Sequence, residues 1–291
     1  MDAVTVCRIL KQAIHSVLPD ADVISIPVAD GGEGTVDAII AAIKGIKINT
    51  EVTGPLFEKT DSFFGFSADK SIAFIEVAAV CGLNMVGDRR NPLKTTTYGV
   101  GELILKAVDY GCEKIVIGLG GSCTNDGGIG MAAALGYKFI DENNCEIPLN
   151  AEGLAKLKKI IPPAHKKIPN SVSIIAACDV NNPLTGKNGA SYIFAPQKGA
   201  DEEMVTILDE NMKNLSCIIK DDLGKFVSQI PGSGAAGGLG AGLLAFTNCK
   251  IKSGIDYILN LCNFDDVLIG ADLVITGEGK IDGQTAGGKV P

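Results

Sequence analysis

Residues 118–130 read Gly-Leu-Gly-Gly-Ser-Cys-Thr-Asn-Asp-Gly-Gly-Ile-Gly, and few folds accommodate such a stretch. It follows Ile115-Val116-Ile117, an apolar run of the kind a buried parallel strand makes. It leads into 129–135, which is helical in composition. A strand, a glycine-rich turn and a helix start place backbone N–H groups and a positive dipole end where an anion can sit. Ser122, Thr124, Asn125 and Asp126 add hydroxyls, an amide and a carboxylate, a mixture suited to phosphate chemistry with a metal ion. A plainer reading stands beside this one. The loop can be a tight turn in which Asn125 or Asp126 caps the helix and the glycines supply positive φ.

Two further segments share this character, 232–242 and 276–289. The three together hold 17 of the 36 glycines, so the glycine is concentrated where backbone must approach something closely. Known nucleotide motifs are nearly matched. Gly283, Gly288 and Lys289 have the Walker A spacing, but Val290 replaces the Ser or Thr that would hold magnesium, which excludes a P-loop NTPase. Residues 232–237 fit G-x-G-x-x-G, yet the preceding 226–231 is a poor strand ending in Pro231, so an oxidoreductase built on this loop is a weak rival.

A net charge of −8 argues against nucleic acid or an anionic membrane as partner. No apolar run approaches a membrane span. The nine cysteines are scattered without a C-x-x-C pair, which suits reduced thiols in the cytoplasm. Only His15 and His165 are present, so a structural zinc site or a Ser-His-Asp triad is not expected. Carboxylates, lysines, hydroxyls and backbone must carry the chemistry.

The hydrophobic pattern alternates strands and helices. Helices are expected over 3–18, 36–43, 97–110, 201–220 and 241–246. Strands are expected over 22–28, 47–53, 62–66, 71–79, 114–119, 137–140, 172–177 and 272–275. Several strand ends carry an acid: Asp30, Asp126, Asp179, and Glu278 with Asp282. Ligands gather at such ends in open α/β sheets, and acids there serve metals or general bases. Each one taken alone also fits a helix cap.

Several runs now form a set. They are Pro27-Val28-Ala29-Asp30-Gly31-Gly32-Glu33-Gly34-Thr35, Asn91-Pro92-Leu93, Thr95-Thr96-Thr97-Tyr98-Gly99 and the stretch 120–128. Cys178-Asp179-Val180, Asn182-Pro183-Leu184, Pro196-Gln197-Lys198-Gly199-Ala200, residues 234–240 and 276–289 complete it. In this order they resemble the type 1 glycerate kinases over essentially the whole chain. Cys123 stands where that family usually has a small residue such as Ala.

The resemblance implies an α/β fold of two domains with the site in the cleft between them. One is a Rossmann-like parallel sheet built from both chain ends, 1–48 and 254–291, and incomplete here; the other is a central mixed α/β domain, 49–253. It implies ATP- and Mg²⁺-dependent phosphorylation of D-glycerate, most often to 2-phosphoglycerate. Asp179 is then the carboxylate that orients or deprotonates the glycerate hydroxyl, and Lys289 meets the transferred phosphate. Asp126, Glu278 and Asp282 are candidates for metal or nucleotide contacts. Gly120, Gly121, Ser122, Gly277 and Gly279 shape phosphate-facing backbone, and Asp30 and Arg90 hold substrate. Lys187 and Lys198 fit a ligand contact and a solvated surface charge equally. The family opens with a strand and a Pro-Asp-Ser-Phe-Lys loop and continues past its Gly-Lys-x-Pro motif, whereas this sequence runs from Met1 to Pro291. A fragment with an unstable terminal domain and no kinase turnover is therefore expected. The alternative function is a truncated, non-catalytic remnant that binds nucleotide or glycerate.

Overall fold

The computed structural model describes residues 2–28 and 31–277. In chain order the elements are α1 (Ala3–Val17), α2 (Thr35–Ile43), β1 (Ile46–Thr53), β2 (Lys59–Phe66), β3 (Ile72–Glu76), α3 (Ala78–Cys81), α4 (Leu83–Val86), α5 (Tyr98–Asp109) and β4 (Lys114–Gly118). They continue with α6 (Ile129–Ala134), β5 (Lys138–Ile140), β6 (Lys159–Ile161), β7 (Ser173–Ala177), α7 (Ala190–Phe194), α8 (Glu202–Leu223), α9 (Ala235–Phe246), β8 (Lys250–Lys252), α10 (Gly254–Leu261) and α11 (Phe264–Leu268).

Six strands make one sheet in the order β1-β2-β3-β4-β7-β8, and β5 pairs with β6 separately. The β1–β2–β3 pairs are antiparallel. From β3 through β4 and β7 to β8 the sheet is parallel. Parallel neighbours need long crossovers, and here helices supply them and cover both faces. The period-2 alternation of the strands divides the apolar residues between those faces. Ala73, Ile75, Ile115, Ile117, Ile174 and Ala176 enter the large core. Phe74, Val116 and Ala177 point the other way, onto Val36 and Ile39 of α2 and Ile258 of α10. The fold is thus mixed α/β with a mostly parallel central sheet.

Register decides where the loops emerge. Glu76 pairs with Gly118, Gly118 with Ala177, and Ala177 with Lys252. Four carboxyl ends therefore lie level, and the segments starting at Val77, Leu119, Cys178 and Ser253 leave from one edge.

Two expected strands differ. Residues 22–28 and 272–275 form no ladder in the described structure. A strand exists only by pairing, and none of the described residues pairs with either segment. Helix α1 places no residue in the core, and Ile9 and Leu10 on it stay exposed. The segment 226–231 is not a strand either, so the G-x-G-x-x-G match lacks the strand a dinucleotide fingerprint requires.

Helix α9 is kinked just after its first residue by three left-handed residues, Ala236, Gly237 and Gly238. Gly237 has φ +64°, and a Cβ there would run into the Thr124 carbonyl oxygen. Gly224, at the C-terminus of α8, has a similar φ of +67° but open space around it. Both positions disfavour an L side chain, by about 1–2 kcal/mol. Only Gly237 adds overpacking, about 1–3 kcal/mol. In urea melts, Gly237→Ala is expected to lose about 3 kcal/mol of stability and Gly224→Ala about 1 kcal/mol. Equal losses would show that space at Gly237 does not matter.

Candidate active site

The loop after β4 is built against the turn at 31–34. Leu119 N donates to Ala177 O at 3.3 Å, and Gly120 N donates to Gly31 O at 2.9 Å. A Cβ on Gly120 would stand 2.7 Å from Gly32 Cα, so backbone meets backbone with nothing between. Glu76, buried at the end of β3, accepts from Gly34 N and Val36 N, both at 3.0 Å. It thereby caps α2 and holds that turn on the sheet. Burial pushes its carboxyl above the usual range. An acid closing the apolar strand Ile72–Glu76 is the sequence signal for this residue, which stands outside the expected strand-end acids.

Next along the loop, Gly121 is exposed with φ +72°. Ser122 bridges Gly82, flanked by Leu83 N to Gly121 O (2.9 Å) and Cys123 N to Cys81 O (2.8 Å). Thr95 Oγ1 donates to Cys123 O at 3.1 Å, so the threonine run 95–97 wraps the loop from behind.

Asp126 is fully buried. Its Oδ2 accepts from Thr97 N (2.8 Å), Thr97 Oγ1 (2.8 Å) and Gly130 N (3.2 Å), and its Oδ1 from Gly128 N (3.0 Å). Burial raises its carboxyl above the ordinary value despite these donors. In this geometry Asp126 organises the loop and the start of α6, which is the capping role the sequence left open. Mg²⁺ is usually held by one or two carboxylates together with substrate phosphates and water. Among the described residues no three His, Cys, Asp or Glu side chains gather, and both oxygens of Asp126 are taken.

Lys198 is the side chain whose place the sequence did not decide. It is not a surface charge: it is 2% exposed, and its Nζ donates to Ser122 Oγ at 3.0 Å and Thr124 O at 2.6 Å. Burial lowers its pKa from 10.5 to about 8, with Cys123, Cys81 and Asp126 partly opposing that shift. The thiols suffer the converse, and burial pushes Cys123 up to about 12. Lys187 is exposed. Arg90, also exposed, donates from Nη1 to Gln197 O at 3.4 Å, so the Pro196–Lys198 turn carries Arg90 on its outside and sends Lys198 beneath the loop. Asn125 Nδ2 donates to Ser191 Oγ at 3.2 Å, a contact the sequence did not indicate. Asn125 Oδ1 and Ser233 Oγ are buried without a hydrogen-bond partner among the described residues.

At the next strand end, Asp179 is half-buried. Its Oδ1 accepts from Gly254 N (2.8 Å), Ile255 N (3.3 Å) and Ser253 Oγ (3.3 Å), at the start of α10. The structure thus brings Gly120, Gly121, Ser122 and Asp126 into one loop, with Asp179 on the adjoining strand end and Arg90 reached through one short turn. Gly277 is described, with nothing within 4 Å of a Cβ built on it. Asp30, Glu278, Gly279, Asp282 and Lys289 lie outside the described residues.

Two measurements check this arrangement. Asp126→Asn turns one acceptor into a donor facing donors, so chemical denaturation should show a loss of at least about 3 kcal/mol, the scale of a broken buried charged network. A loss under about 1 kcal/mol would remove Asp126 from the centre of the loop. Lys198 gives up its proton at about 8 when folded and near 10.5 when unfolded. Between those values the unfolded chain binds more protons, so the Lys198 contribution to stability rises with pH, by about 3 kcal/mol across the window. The stability of the native chain relative to Lys198→Met should therefore increase from pH 8 to 10.5. A flat difference would place Nζ in water.

Comparison with known proteins identifies the family. A family model described as the glycerate kinase family matches residues 1–291. A glycerate kinase of Bacillus cereus is 49% identical over 292 residues, spanning 100% of this chain and 77% of that protein. A glycerate 2-kinase of Escherichia coli K12 is 47% identical over 293 residues, again across 100% of this chain and 77% of its own. A crystal structure described as a glycerate kinase 2 from Salmonella typhimurium LT2 matches with a TM-score of 0.89 at 45% identity, over 96% of this chain and 76% of that one. None of these supports reading the chain as a non-catalytic remnant. The chain belongs to the glycerate kinase family.

Proposed function

We propose that this chain transfers the γ-phosphoryl group of ATP to D-glycerate, with 2-phosphoglycerate as product. The observation that carries the reading is the buried ammonium of Lys198 beneath the glycine loop at the parallel strand ends, whose Gly121 is exposed, in a chain of this family. Transfer of a phosphoryl group to an alcohol is chiefly positioning and charge stabilisation. Gly120, Gly121 and Ser122 face the nucleotide phosphates, where a bare backbone lets an anionic oxygen approach closely. The nucleotide supplies the phosphoryl group. Asp179 orients the glycerate hydroxyl and takes its proton. Arg90 and Asp30 hold the rest of the substrate, and Lys289 faces the transferred phosphate with Glu278, Gly277 and Gly279 beside it.

Mg²⁺ belongs to the same proposal, carried on the nucleotide with Glu278 and Asp282 as its candidates, and no step is assigned to it. The division into 1–48 with 254–291 and 49–253 goes with this reading as well. So does a cytoplasmic location, which the scattered thiols support; no helix among the described residues is long and apolar enough to cross a membrane.

The test is direct assay of the purified chain with ATP, Mg²⁺ and D-glycerate, the product identified by ³¹P NMR. Formation of phosphoglycerate is expected, and failure to bind either ATP or glycerate would sink the reading. Asp179→Asn is an informative variant, because Asn keeps one oxygen to accept from the start of α10 and loses the carboxylate's charge and basicity. It should lower kcat at least about 10²-fold. A near-normal kcat would take Asp179 off the catalytic list.

A further inference from the structure

A lysine that is buried without a carboxylate partner costs stability, so its retention calls for a reason. Among the described residues Lys198 forms no ion pair: its two hydrogen bonds go to a hydroxyl and a backbone carbonyl, Ser122 Oγ and Thr124 O. The first of these has a consequence for proton direction. An ammonium only donates, so Ser122 Oγ receives from Nζ and its own O–H proton must point elsewhere. No hydrogen bond from that hydroxyl is made among the described residues; Ser122 is buried, and its chain neighbour Gly121 is exposed. Donation from a cation also polarises the hydroxyl and makes it a stronger donor in turn.

We infer that Lys198 is a positioning residue that acts through Ser122. It fixes the hydroxyl as an outward donor to an anionic oxygen of the ligand, and it holds the Thr124 carbonyl back from that spot. The oxygen belongs to a nucleotide phosphate or to the substrate carboxylate; the chemistry is the same. The arrangement also explains why the lysine arrives from the Pro196–Lys198 turn, behind the loop. A cation in front would compete with the ligand for the hydroxyl, whereas from behind it leaves the donor side open. The inference rests on the reading of Gly120, Gly121 and Ser122 as anion-facing.

The experiment is calorimetric titration of ATP with Mg²⁺ and, separately, of D-glycerate, into the native chain, Ser122→Ala, Lys198→Met and the double variant. Each single substitution should weaken one of the two ligands about tenfold, the scale of one charge-assisted hydrogen bond. The double variant should bind that ligand no more weakly than Lys198→Met alone, because the lysine acts only through the hydroxyl. The other ligand should be unaffected, and the arm that responds names the source of the oxygen. Multiplying losses in the double variant would overturn the inference and leave Lys198 a structural residue. So would a loss in Ser122→Ala with none in Lys198→Met, though the anion-facing loop would then stand. No change for either ligand in Ser122→Ala would remove both. If Lys198→Met fails to fold, the ¹⁵Nζ resonance of Lys198 replaces it: it should shift when the responding ligand saturates the native chain and stay unmoved in Ser122→Ala. A resonance that does not shift in the native chain would overturn the inference.

Discussion

Backbone packed on backbone at the level strand ends is the constraint from which the rest of the site follows. Gly118 and Gly120 lie against Gly31 and Gly32, Gly237 lies on Thr124 and Asn125, and Gly242 lies on Gly127 and Gly128. At each contact a Cβ would collide with a neighbouring main chain. Three glycine-bearing segments, far apart in sequence, therefore lock into one body beside β3, β4 and β7. The cost is the conformational entropy of many glycines, and the large core beneath them, with Ile115, Ile117, Ile174 and Leu239 fully or nearly buried, offsets it.

Such a body leaves its polar backbone short of partners, and three buried charged side chains supply them. Glu76 closes the start of α2, Asp126 closes the start of α6, and Lys198 ties Ser122 to Thr124. The two carboxylates are met by backbone and hydroxyl donors, so each is a satisfied acceptor. Lys198 differs, since burial lowers its pKa to about 8 and no carboxylate pairs with it among the described residues. Its charge is met by one hydroxyl and one backbone carbonyl, Ser122 Oγ and Thr124 O.

Much of the fold was legible in the sequence because its signals are local. The strand Lys114–Gly118 and the helices Tyr98–Asp109 and Glu202–Leu223 fall within a few residues of their periodic patterns. The short strands Lys159–Ile161 and Lys250–Lys252 escaped, because three residues hold too little of a period to register. Residues 22–28 and 272–275 have strand composition yet no ladder, since composition states a tendency and pairing is a property of neighbours. Among site residues, Asp126 and Ser122 were visible from their place after a strand. Glu76 resembled the polar end of a strand, and Lys198 any lysine in a turn.

The sequence by itself determined the α/β alternation, the glycine loop after β4, and the ordered motifs that mark the family. Those are carried by side-chain type and spacing along one chain. Only the tertiary structure decided what each polar group does. Asp126 turned inward because four donors from two segments, 97 and 128–130, surround it. Lys198 went beneath the loop because the Pro196–Lys198 turn, held outside by Arg90, aims it there. Burial and partnership depend on contacts between residues tens of positions apart, and a linear pattern carries no record of which of them will meet.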